Sequence, residues 1–198
     1  VGFSLVLFVG MILHGFFSEC IVRAPTLILS NANYVKKVVF PLEILPPAAL
    51  GSALFHAAIS FGVLLGMFIA LHGLPPLSLI AAPILMIPLL LVALGTSWFL
   101  ASLGVYVRDV GQMASVLVTV LLFLSPVFYS ASAVPPAMRW IMRINPLAIT
   151  IGQMRDAVLW GRWPDWPSVA AYSLLAIFFA WLGFAWFQKT RTGFADVL

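Results

Sequence analysis

Five long apolar runs separated by short polar breaks set the plan of the chain. Gly2 to Phe17 is apolar apart from Ser4 and His14, and about 20 residues take a helix across a hydrocarbon core. Further runs cover Leu50 to Leu71, a stretch within Leu77 to Tyr106, Val110 to Phe128, and Val169 to Phe187. Each is read as a membrane-spanning helix. Glu19 and Arg23 follow the first run at i and i+4, so a helix continuing through them pairs them on one face. The simple reading is an interfacial ion pair that closes the helix end. Pro83 and Pro88 are expected to bend or delay the start of the third span. Gly62 and Gly66 form a G-x-x-x-G in the second, a spacing that permits close helix packing.

The polar breaks differ in character. The longest is an island from Ser30 to Pro47, SNANYVKKVVFPLEILPP, with the paired lysines Lys36 and Lys37, a lone Glu43, and Pro41, Pro46 and Pro47. Its prolines predict a short amphipathic helix or turn followed by the start of the next span. Paired lysines between two spans place the island on the cytoplasmic face, open to a soluble partner. Tyr106 to Gln112 is a tight turn in which Asp109 is expected to cap the next helix, with Gln112 as its capping-box partner. Ser130 to Pro167 is too polar to span and too apolar for an ordinary loop. Pro135-Pro136 opens one amphipathic piece with Arg139 and Arg143. Asn145-Pro146 reads as an N-cap with Pro in the first turn, opening a second piece through Ile149 to Leu159 with Arg155 and Asp156. Trp140, Trp160, Trp163 and Trp166 also fall here, and clustered Trp marks the headgroup level. Two short helices dipping into the outer interface are expected.

Composition fixes the class. Of 198 residues 63% are hydrophobic and only 8% charged, too few to cover a soluble domain. The expected fold is all-α: a polytopic membrane helical bundle with one transmembrane domain over residues 1–198, five spans and short re-entrant helices. The chain opens at Val1 inside an apolar run with no charged n-region, which reads as a trimmed chain rather than a signal peptide. One further N-terminal span would make six and put both termini on the cytoplasmic side. The island side holds Arg23, Lys36, Lys37, Arg108, Lys189 and Arg191, against Arg139, Arg143, Arg155 and Arg162 on the other, a weak bias that favours the island side as cytoplasmic. The scattered cations form no long basic run, which argues against a nucleic-acid partner.

Chemistry is scarce. The chain has no G-x-x-x-x-G-K-[ST], H-E-x-x-H or G-x-S-x-G, and Cys20 is its lone cysteine. His14, His56 and His72 lie in different segments without partners at i+4, so neither a metal nor a cofactor is expected in this chain. His56 sits well inside a span and is read as a neutral imidazole hydrogen-bonded to a neighbouring helix. Glu19, Glu43, Asp109, Asp156 and Asp165 stand at ends or in loops, which argues against a proton-driven antiporter. The chain is a membrane scaffold without a visible energy source: passive, structural, or driven by a partner.

Asn31-Ala-Asn-Tyr-Val-Lys-Lys-Val-Val-Phe-Pro-Leu-Glu-Ile-Leu-Pro resembles the loop N-x-N-L-V-K-K-x-x-F-P-R-E-I-L-P of ABC-2 type exporter permeases, in the branch that exports O-antigen, capsule and teichoic acid. Tyr106-Val-Arg-Asp-Val, Leu124-Ser-Pro-Val-Phe-Tyr, Ala133-Val-Pro, Asn145-Pro-Leu and Gly193-Phe-Ala-Asp-Val fit in the same order over nearly the whole chain. Leu42 stands where Arg is usual, Tyr34 where Leu is common, and His14 where Trp is frequent; the family's N-terminal interface helix and first span are missing.

The resemblance implies a homodimeric permease in the bacterial inner membrane with two cytoplasmic ABC ATPase subunits, which bind ATP and Mg. It implies an ATPase coupling loop at Asn31, Asn33, Lys36, Lys37, Phe40, Pro41 and Glu43, and re-entrant helices at the periplasmic mouth. A lipid-linked glycan would then pass near Phe123, Phe128, Tyr129, Arg139, Arg143 and Arg155. Aromatic rings stack on sugars and Arg suits phosphate or acidic groups, although packing rings and snorkelling arginines explain the same residues. Two rivals are an ABC-2 permease for drug or lipid efflux, and an intramembrane glycan acyltransferase using His56 or His14.

Overall fold

The computed structural model describes residues 2–33, 41–129 and 139–197, and their regular structure is helical throughout. Helix α1 (Phe3–Arg23) buries Leu5, Val9, Ile12, Leu13, Phe16 and Cys20, the three- and four-residue spacing that lines one helix face. Helix α2 (Leu45–His72) starts five residues before the apolar run predicts. Pro46 and Pro47 fall in its first turn, where no backbone N–H is needed. A 3₁₀ turn over Leu77–Ala81 precedes α3 (Ala82–Tyr106), so Pro83 delays the helix as expected, while Pro88 is accommodated inside it. Helices α4 (Val110–Leu124), α5 (Arg139–Ile144), α6 (Pro146–Leu159), α7 (Trp166–Thr190) and α8 (Phe194–Val197) complete the order.

Four helical segments, those built on α1, α2, α3 and α7, are long and apolar enough to cross a membrane. The remaining expected span is shorter. Helix α4 has 15 residues, a rise of about 22 Å at 1.5 Å per residue, against a hydrocarbon core of about 30 Å. It stops because Ser125 is extended (φ −95°, ψ 149°), as a residue before proline prefers. Asp109 does not cap α4 with its side chain. Its backbone is already helical (φ −75°, ψ −8°), not the extended form from which a cap side chain folds over the first turn. Asn145, by contrast, is extended (φ −76°, ψ 113°) and caps α6 as expected, accepting from the Leu147 amide.

Helix α6 is wedged against α1 and α3 and buries Leu147, Ile151, Met154, Arg155 and Val158. Tyr172 donates to the Pro146 carbonyl at 3.3 Å. Tyr172 is six residues past the start of α7 at Trp166, so α6 begins about 9 Å along that helix. From there it climbs back until Ala157 accepts from Ser78 at 2.6 Å. It is a re-entrant helix, enclosed by the bundle.

The tightest pair is α3 with α7. A Cβ on Gly95 would lie 2.8 Å from the Ala180 Cα, and one on Gly183 would fall on the Gly95 carbonyl. Only glycine at both positions lets the backbones meet. Gly62 and Gly66 do not play this part, because a Cβ at either meets nothing within 4 Å. A second small core gathers at the island end, from Ile28, Ala101, Val105, Phe187 and Phe194.

Gly183→Leu is therefore expected to lower the yield of detergent-stable, monodisperse protein by at least about fivefold, as severe overpacking does, while Gly66→Leu changes it by less than about twofold. Size-exclusion chromatography of the two variants checks this.

Candidate functional site

At the island end, α1 runs on into turns that the sequence stabilises locally. Thr26 bonds the Arg23 carbonyl at 3.0 Å, Ser30 the Thr26 carbonyl at 2.8 Å, and Asn31 Nδ2 the Leu27 carbonyl at 2.8 Å. Asn31 is half-buried and Asn33 exposed. Lys36, Lys37 and Phe40 lie outside the described residues. Exposed Pro41 leads into a 3₁₀ turn at Leu42–Ile44. Within it, Glu43 Oε2 pairs with Arg191 Nη1 at 2.9 Å, and the Glu43 carbonyl accepts from Trp98 Nε1 at 3.0 Å. Tyr106 donates to the Thr190 carbonyl at 2.8 Å. The island's exit is thus tied to α3 and to the end of α7.

Nearby, Glu19 makes the expected pair with Arg23 at 2.9 Å. It also faces His56 Nδ1 of α2 at 3.0 Å. The sequence reading foresaw a hydrogen bond from His56 to another helix, but not that its partner is the carboxylate closing α1. His14 meets the Val118 carbonyl at 3.1 Å and is buried, a packing role.

At the opposite end the broken tip of α4 meets α6. Arg155 is only 6% exposed. Its Nε donates to the Val6 carbonyl at 2.9 Å, Nη1 to Pro126 at 2.6 Å and Nη2 to Val127 at 2.8 Å. Gly10 makes room for it, since a Cβ there would lie 2.9 Å from Nη2. Arg155 thus has its guanidinium held by the backbone of two other segments while it also lines the cleft at this end. Asn145 Nδ2 supports the same break through Ser125 Oγ at 2.9 Å.

This junction forms part of the wall of a cleft of about 420 Å³, in which Pro126, Val127 and Arg155 are joined by Phe3, Tyr129 and Trp160, among others. Phe123 and Phe128 are exposed, with ring centroids 6.4 Å apart. Tyr129 donates to the Phe123 carbonyl at 3.1 Å. Arg139 and Arg143 belong to α5, and their side chains lie outside what the structure describes.

A family model described as ABC-2 type transporter matches residues 2–159. The chain belongs to that family. Two O-antigen export system permease proteins RfbA of Klebsiella pneumoniae are 25% identical over 86% of the chain and 24% identical over 99% of it. A protein of the same description from Myxococcus xanthus is 24% identical over 98%. The chain spans 66% to 76% of the lengths of these relatives. An ABC-2 chain is the membrane subunit of a transporter and not an enzyme, so the acyltransferase reading of His56 and His14 falls away. The match takes in α1 to α6 whole, including the Arg155 junction, so the re-entrant helix belongs to the family region.

Some of these residues were within reach of sequence reasoning. Leu147, Ile151, Met154, Arg155 and Val158 recur at helical spacing, so an arginine on that stripe is a buried arginine. The pairing of Glu43 with Arg191, 148 positions apart, had no local signal.

Arg155→Leu and Arg155→Lys are both expected to destabilise the protein. The first strands three carbonyls at about 1–3 kcal/mol for each unpaired group. The second replaces a planar fork with a point charge that cannot reach all three. Thermal unfolding in detergent reads the loss, with Phe123→Ala as the exposed control.

Proposed function

We propose that this chain is the permease half of an ABC exporter that moves a lipid-linked polysaccharide across the bacterial inner membrane. The observation that carries it is similarity to O-antigen export permeases over essentially the whole chain. In this reading two copies form the pathway, and two cytoplasmic ATPase subunits bind ATP and Mg and drive it. The island from Asn31 to Pro47 faces the cytoplasm and carries Lys36 and Lys37 to the ATPase. ATP binding draws the ATPase pair together and displaces the island. Asn31 and Glu43 hold its two feet, with Pro41 leading into the exit turn.

At the other end, the exposed rings of Phe123 and Phe128 offer flat apolar faces on which sugar rings stack, beside the Tyr129 hydroxyl. Arg139 and Arg143 stand at the mouth for a phosphate or acidic sugar. Arg155 supports this mouth by fixing its backbone, and it lines the cleft there.

Deleting the gene in its own host is expected to remove surface polysaccharide and to accumulate lipid-linked glycan inside the cell. The full-length protein should restore display. Full-length K36E/K37E should insert normally yet fail to restore it and fail to co-purify its ATPase. Retained surface polysaccharide in the deletion strain excludes a glycan cargo. Normal display by K36E/K37E removes the coupling role of the lysines.

A further inference from the structure

Building on the coupling reading, we infer that the C-terminal tail, through Arg191 and Phe194, is a positioning element that locks the exit of the coupling loop to the α3–α7 pair. Gly193-Phe-Ala-Asp-Val is a motif without a role in the function above. The fold sets this tail against the loop. Arg191 reaches the Glu43 carboxylate at 2.9 Å from the far end of the chain. Phe194, fully buried, lies with its ring centroid 5.7 Å from Phe187 and 5.9 Å from Tyr106. Leu42, which opens the loop's exit turn, and Leu45, which follows it, pack on the same small core. Ile28, from the segment that enters the island, is buried there as well. Both feet of the loop therefore stand on one apolar floor, and the tail is part of it.

The consequence is mechanical. Beyond its first turns α2 turns large side chains outward, among them Phe55, Ile59, Val63 and Ile69. The α3–α7 pair is fused where Gly95 meets Gly183. A pull on the loop's exit enters α2 through the backbone and is shared at once with α3 through the Trp98 bond to the Glu43 carbonyl, and with α7 through Arg191. Trp98 also meets Phe184 of α7 edge to face at 5.0 Å, which joins the two load paths.

The test uses the full-length protein with its ATPase, returned to the deletion strain and also purified as the complex. E43R and R191E are each expected to lower surface polysaccharide by at least about fivefold, the size of a modest coupling energy. For R191E, whose changed residue lies outside the coupling loop, membrane level, ATPase co-purification and the ATP hydrolysis of the purified complex should stay within about twofold. The charge swap E43R/R191E should restore display, and Phe194→Ala should reproduce the single-variant defect. Hydrolysis retained with export lost marks uncoupling, which a merely unstable protein does not show. Wild-type display by both single variants overturns the inference, as does a charge swap that rescues nothing or loss of the ATPase from R191E. If K36E/K37E loses display while E43R and R191E keep it, the coupling loop stands and the tail's role falls. If the deletion strain keeps its polysaccharide, the cargo assignment has failed instead, and the tail is judged on the purified complex: its role falls if R191E leaves backbone hydrogen exchange at Leu42 to Leu45 as slow as in the wild type.

Discussion

A backbone carbonyl freed inside a bilayer has no water to turn to, and each one left unpaired costs several kcal/mol. Helix α4 creates that situation by stopping at Leu124, some turns short of a full crossing. The strand of chain after it, Ser125 to Tyr129, is irregular at membrane depth. Such backbone survives only where protein supplies the donors. Here Arg155 supplies them, and its three bonds tie α1, the broken tip and α6 into one junction. A carboxylate in place of these carbonyls would neutralise the charge but would leave the tip unsupported. The cation and the broken helix solve each other's problem, which explains why an arginine sits on the buried stripe of α6.

The bundle's second constraint is the distance between α3 and α7. Lipid tails are as apolar as leucine, so helices in a membrane associate through close contact and not through burial from water. Gly95 and Gly183 permit that contact, and the rest of the pair follows their lead. At the island end Trp98 and Phe184 continue it with an edge-to-face aromatic contact, and Phe187 meets the tail. At the other end Tyr172 reaches the first carbonyl of α6. The pair is thus a spine with the loop's feet at one end and the re-entrant helix at the other.

The spans were legible because length and hydropathy are local properties. So were the Asn145-Pro146 start of α6, the Glu19–Arg23 pair and the proline-led start of α2. Facing was not legible. In a chain whose spans are apolar all round, periodicity cannot separate a side chain that touches lipid from one that touches protein. That is why the G-x-x-x-G at Gly62 and Gly66 pointed to a contact that the fold places elsewhere, at Gly95 and Gly183. The burial of Arg155 was legible from the spacing of α6, but its partners, carbonyls from two distant segments, were not. Glu43 with Arg191 and Glu19 with His56 have the same cause: each polar group was visible, but its partner was set by packing. Asp109 failed as a cap for a different reason, because backbone conformation and not residue type decides whether a side chain can fold back.

The two ends of the molecule are joined by bonds that fix register more than by bulk apolar contact. From the loop's exit, Glu43 engages Arg191 and Trp98, Tyr172 of α7 engages Pro146, and Arg155 of α6 engages Pro126 and Val127 at the mouth. Apolar faces slide past one another at little cost in a membrane, whereas a directional hydrogen bond resists a shift of even an ångström. If the loop is displaced as proposed, a shift at Glu43 is held in register along α7 and α6 and reaches the Phe123–Phe128 end through the arginine that keeps that end's backbone paired. In that reading the residue that stabilises the broken helix is also the last polar link along the path, so stability and movement are not assigned to separate parts of the bundle.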